Sequence, residues 1–143
     1  MYTDIKENLP EFNLLDINDN KVLLGHVTQL FPILEIKIRK LGSYFGIAHF
    51  KENEQEFLQS KDPSNVLIKL ILQYYEGTSE FIGVGDLFFV YYTLYNSNSL
   101  NIRNECVHGN NYQLDNNLLY AYKITLLCFK LILNRIQKIE EHI

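Results

Sequence analysis

Apolar side chains recur at helical spacing over much of the chain, and their pattern sets the expected architecture. Val27, Phe31, Leu34, Ile38 and Leu41 fall every three or four residues, with Lys37 and Lys40 on other faces. That spacing predicts an amphipathic helix ending near Gly42, which Pro32 either starts or kinks. Asp62-Pro63 is a start signal, a capping carboxylate followed by a first-turn proline. The helix it opens carries Leu67, Leu70, Ile71, Tyr74 and Tyr75 and stops at Gly77. Leu118, Tyr122, Leu126, Phe129, Leu133 and Ile136 form the longest stripe, with Lys123, Lys130 and Lys138 elsewhere. They predict a C-terminal helix of about six or seven turns, roughly 40 Å long.

Two stretches are harder to read. The run Leu87-Phe88-Phe89-Val90-Tyr91-Tyr92 is rich in the aromatic and β-branched residues of strands. Asp86 stands where a helix cap would stand, and the neighbours on both sides are helical, so a helix through Leu87, Val90, Tyr91 and Leu94 is expected. Residues 47 to 60, with Ile47, Phe50, Glu52, Glu54 and Glu56, read either as a short polar helix or as an excursion between helices. Residues 1 to 20 carry no readable pattern. The whole, residues 1–143, is expected to be one all-α domain: an antiparallel bundle of four to five helices with a long C-terminal helix.

Composition narrows what such a bundle does. Apolar residues are 47% of the chain and only 21% are charged, which suits a packed interior. The net charge of -4 excludes a protein that coats nucleic acid through a broad basic face, so any contact with RNA must be local. The apolar runs Leu67 to Tyr75 and Phe81 to Leu94 fall short of the about 20 residues of a membrane span. The N-terminus lacks the apolar core of a secretion signal. Cys106 and Cys128 are too few for a disulfide framework and have no zinc spacing. A reduced cytoplasmic setting follows, with no membrane, metal or cofactor.

The chemically distinctive segment follows the polar loop Asn96-Ser97-Asn98-Ser99. It reads Asn101-Ile102-Arg103-Asn104, then three residues, then His108-Gly109. This resembles the Arg-Asn-x-x-x-His motif of the HEPN superfamily, most closely the uncharacterised, defence-associated branch. Pro32-Ile33-Leu34-Glu35-Ile36-Lys37-Ile38-Arg39 is similar to an upstream helix motif, Pro-x-x-Glu-x-x-x-Arg, of that branch. The resemblance spans roughly Gly25 to the final helix, with no motif matched in residues 43 to 80. It implies a metal-independent endoribonuclease of a bacterial defence or toxin type, active as a homodimer whose two motifs face each other. An antitoxin or a larger defence complex is an implied partner.

The residue types suit that chemistry. Cleaving RNA through its own 2′-hydroxyl needs a base, an acid and a cation on the phosphate. His108, with a reference pKa of about 6.5, serves as base or acid near neutral pH. Arg103 offers a planar fork of donors to the phosphate, and Asn104 orients the histidine or donates to a phosphate oxygen. Glu105 is expected to face away, Cys106 and Val107 to pack, and Gly109 to end the short helix. Arg103 and His108 lie about 140° apart on a regular helix. Either a loop-to-helix turn or pairing across a dimer must therefore unite them.

Plainer readings stand beside these. Arg103 and His108 also fit a surface pair flanking a short helix, and Glu35 and Arg39, at i and i+4, fit an ordinary intrahelical ion pair. Tyr74, Tyr75, Tyr91, Tyr92 and Tyr95 read as core or interface before they read as base-stacking residues. His26, His49 and His142 have no partners at ligand spacing. The rival from another class is a non-catalytic helical dimerisation or RNA- and partner-binding module, part of a larger protein.

Overall fold

Pro32 leaves its mark four residues upstream, where its missing N–H deprives the Thr28 carbonyl of an i+4 donor. Helix α1 (Leu24–Thr28) accordingly breaks at Gln29, and α2 (Leu30–Ser43) continues beyond it. The structure is a computed structural model that describes residues 24–47, 50–52, 58–60, 62–74, 83–108 and 115–142. Leu30, Phe31, Leu34, Ile38 and Leu41 are buried along one face of α2. Each such side chain removed from water contributes about 1.5–3 kcal/mol before entropy is counted.

Helix α2 ends close to Gly42, but Gly42 is not the stop. Its place inside the helix is set by packing, because a Cβ there would lie 2.5 Å from the Val66 side chain of the next helix. The chain turns instead at Gly46, whose φ of 82° is left-handed. The Ile47 N–H donates to the Gly42 carbonyl at 3.0 Å and the Gly46 N–H to the Ser43 carbonyl at 3.2 Å, a Schellman arrangement that uses two orphan carbonyls.

Between 47 and 60 the chain makes an excursion as a small antiparallel pair, β1 (Phe50–Glu52) and β2 (Leu58–Ser60), with Lys51 opposite Gln59. Strands of three residues are too short to leave a period in the sequence. Helix α3 (Pro63–Tyr74) starts as its signal predicts: Asp62 Oδ1 accepts from the Ser64 N–H at 3.0 Å and from the Ser64 hydroxyl at 2.8 Å. Tyr75 and Gly77 lie outside the described residues.

The strand-like run is helical, in α4 (Val84–Leu94), but Asp86 does not cap it. The cap is Gly83, at φ 56°, whose carbonyl accepts from the Asp86 and Leu87 N–H groups. A side chain at Gly83 would meet the Arg135 guanidinium at 2.6 Å. Asp86 sits in the first turn, where a carboxylate complements the helix dipole, and pairs with Arg135 Nη2 at 3.0 Å.

After the loop come the short α5 (Ile102–His108) and the 26-residue α6 (Asp115–Glu140), about 39 Å long. Leu118, Tyr122, Leu126, Phe129 and Ile136 are buried as the stripe predicts. Leu133 is only partly buried, and Ala121, Thr125, Cys128 and Ile132 widen the buried face. Helix α6 packs on α1, α2 and α4; α3 packs between α2 and α4; α5 lies on α1 and α4. The result is the all-α bundle with a long C-terminal helix, its buried apolar side chains joined in one cluster. No helix among the described residues is long and apolar enough to cross a membrane.

Candidate functional site

The loop before α5 is built by asparagines. Asn96 Oδ1 accepts from the Asn98 N–H at 2.8 Å, a side-chain mimic of a backbone turn, and the Ser99 N–H donates to the Asn96 carbonyl. Asn101 then adopts φ 48°, a left-handed conformation that asparagine tolerates better than most residues. Its carbonyl receives the Glu105 N–H at 3.0 Å, the first bond of α5. Ile102 and Cys106, one turn apart and buried to 1% and 0% exposure, fasten this helix to the core. Arg103, the next position round, is turned toward α2.

There it meets Glu35. Arg103 Nε donates to Glu35 Oε1 at 3.1 Å, and the Tyr95 hydroxyl donates to the same oxygen at 3.2 Å. Three elements supply these groups: α2, the residue that follows α4, and α5. Glu35 is buried although α2 is otherwise apolar on that face, and a cation and a phenol meet its carboxylate. Burial comes first, then the charge of Glu35 and its hydrogen bond, in holding the Tyr95 phenol well above its ordinary value.

Beside this triad lies a cavity of about 210 Å³. Arg39, one turn beyond Glu35, and Asn104, beside Arg103, line it, and Asp62 and Ser64 close it from the start of α3. Glu35 and Arg39 therefore share one site wall, and Glu35 reaches across to another helix, which its i,i+4 spacing to Arg39 did not reveal. Two arginines, an asparagine and two carboxylates thus line one polar cavity.

The rest of the motif is placed as follows. His108 is the last residue of α5, which is regular from Ile102, so the Arg103 and His108 backbone positions differ by about 140° around the axis. Gly109 lies outside the described residues. Glu105 is not among the residues lining the cavity. Burial, and then Glu105, raises the Cys106 thiol to about 11, and burial raises Cys128 to about 12, so neither is a nucleophile near neutral pH.

Four cavity residues, Asp62, Pro63, Ser64 and Tyr95, were not singled out as functional from the sequence. Tyr95 reads as one more core aromatic, and Asp62 reads only as a helix cap; nothing in their local spacing points to the motif. Tyr74 and Tyr91 are partly buried, while Tyr92 is 47% exposed. His49 lies outside the described residues. No group of three His, Cys, Asp or Glu suited to a metal ion occurs among the described residues. No protein-family model, curated protein or solved structure matches the chain.

Proposed function

We propose that this chain is a HEPN-like, metal-independent endoribonuclease of a bacterial defence or toxin type, acting as a homodimer. The observation that carries the reading is the 3.1 Å ion pair between Arg103 and Glu35. It joins the two sequence segments that resemble HEPN motifs, which lie 68 residues apart, at the wall of one polar cavity. Had the two segments been chance matches, nothing would have required them to meet.

In this reading Arg103 grips the scissile phosphate, with Asn104 beside it. A His108 imidazole takes the proton of the RNA 2′-hydroxyl, whose oxygen attacks phosphorus. The bond from phosphorus to the 5′-oxygen breaks, and an imidazolium protonates that leaving oxygen. The products are a 2′,3′-cyclic phosphate and a 5′-hydroxyl, with no redox change and no metal. One chain brings one such histidine on α5, and the 140° offset from Arg103 on a regular helix favours its action together with a second copy.

The test is cleavage of mixed structured and unstructured RNAs in EDTA by the wild type and by Arg103→Ala and His108→Ala, with RNA affinity and oligomeric state measured on the same samples. Cyclic phosphate ends that vanish in both variants establish the nuclease. A wild type that does not cleave, with RNA affinity unchanged by either substitution, removes it. A second reading, a HEPN-like dimerisation or partner-binding module, draws on Glu35, which already neutralises Arg103 and which a phosphate would have to rival. In that reading cleavage is absent and Arg103→Ala weakens stability alone.

A further inference from the structure

A carboxylate oxygen that accepts from two donors cannot turn freely, and Glu35 Oε1 accepts from both Tyr95 and Arg103. The last torsion of a glutamate is otherwise broad, so a single partner would leave its orientation loose. Here Glu35 is 9% exposed, and its carboxylate oxygen is held by these two donors. Tyr95 is itself tied down, since it follows α4 directly and its N–H donates to the Tyr91 carbonyl at 2.9 Å. Arg103 spends Nε on this carboxylate, and no hydrogen bond from its two terminal amino groups to a described residue accompanies it. Those are the groups that can form a two-pronged contact with a phosphate.

We propose that Tyr95 is a positioning residue of the site: acting through Glu35, it fixes the Arg103 side chain so that its terminal amino groups stand ready for a phosphate of the RNA. The proposal rests on the nuclease reading for its consequence but not for its geometry. A tyrosine serving only the core would be replaceable by phenylalanine without effect on Arg103. A tyrosine that positions Arg103 is not, because the hydroxyl is the part that acts.

Tyr95→Phe keeps the ring and removes the hydroxyl. The chain holds three arginines, Arg39, Arg103 and Arg135, so its nitrogen–proton NMR spectrum has three Nε–H signals, and that of Arg103 is assigned by its loss in Arg103→Lys. In Tyr95→Phe the Arg103 Nε–H is expected to exchange with water about 10-fold faster or more, with those of Arg39 and Arg135 unchanged. Cleavage by Tyr95→Phe is expected to lose about 10-fold in kcat, with KM for RNA changed by less than about threefold. An Arg103 signal that exchanges as in the wild type overturns the proposal whether or not the protein cleaves RNA. Faster exchange with kcat unaltered overturns the catalytic consequence. A wild type that does not cleave removes the nuclease reading, and the exchange result still decides whether Tyr95 holds Arg103. Should Tyr95→Phe not fold, Glu35→Gln, which keeps the shape and loses the charge, is expected to free the same Arg103 signal, and failure to do so overturns the proposal.

Discussion

The molecule builds one polar triad twice, at two places along α2. At the cavity, Glu35 Oε1 accepts from Arg103 at 3.1 Å and from Tyr95 at 3.2 Å. At the other end of the helix, Glu140 Oε1 accepts from Lys40 at 3.0 Å and from Tyr44 at 2.8 Å. Each is one carboxylate oxygen, one cation and one phenol. They differ in solvent: the Glu35 side chain is 11% exposed, whereas those of Lys40 and Glu140 are 43% and 45% exposed. Water and salt screen the outer triad, and its long side chains lose entropy on pairing, so it contributes little despite its shorter distances. In the inner triad the carboxylate is buried although Arg103 is 35% exposed, so removing Glu35 leaves its two donors without their shared acceptor. The cations differ in kind as well. Lys40 spends a point charge on Glu140, while Arg103 keeps two terminal amino groups after its Nε is engaged. Distance alone would rank these triads the wrong way round.

The sharpest break between them lies in activity. Arg103→Ala is expected to lower RNA cleavage by about 100-fold or more, while Lys40→Ala leaves it within about twofold, read as initial rates on one RNA. Next in size is stability. Glu35→Ala leaves Arg103 and the Tyr95 hydroxyl without their shared acceptor and is expected to cost about 2 kcal/mol in urea unfolding, discounted for the partial exposure of Arg103. Glu140→Ala is expected to fall within the error of the same measurement, and 1 M NaCl to erase any difference it does make while sparing most of that at Glu35. A loss at Glu140 equal to that at Glu35 would overturn the distinction.

Alkaline pH gives the smallest effect. Both phenols are raised above the ordinary value of 10.0, Tyr95 mainly by burial and Tyr44 mainly by its hydrogen bond to Glu140. A raised phenol keeps its proton in the folded state after the unfolded chain has begun to lose it. Its contribution is therefore whole below pH 10 and is lost as pH rises through the folded value. Wild-type stability is expected to fall as pH rises above 10, less steeply in Tyr95→Phe, with Tyr44→Phe close to wild type. Unfolding midpoints across that range decide it, and equal slopes in the two variants would remove burial as the cause.

Features encoded within one or two helical turns were legible in the sequence. Asp62-Pro63 starts α3 because the cap and the proline both act on their own first turn. The stripe from Leu118 to Ile136 predicts α6 because burial on one face repeats with the helix. The end of α2 near Gly42 was legible, but the packing that requires glycine at 42 and 83 was not, because the side chains in the way, Val66 of α3 and Arg135 of α6, lie in other elements. Asp86 looked like a cap for the same reason: its partner, Arg135, is 49 residues away. In the site, the motif brought Arg103, Asn104, Glu35 and Arg39 to notice as separate signals, while Tyr95 carried none.

Pattern along the chain was thus enough for the helices and the bundle, because periodicity and capping are short-range effects. The tertiary structure alone decided which carboxylate Arg103 meets, that a phenol completes the triad, and that a cavity opens beside it. Those facts depend on how α2, α4 and α5 cross, and that crossing is set by the fit of buried side chains from distant parts of the chain, whose spacing in sequence says nothing of their distance in space.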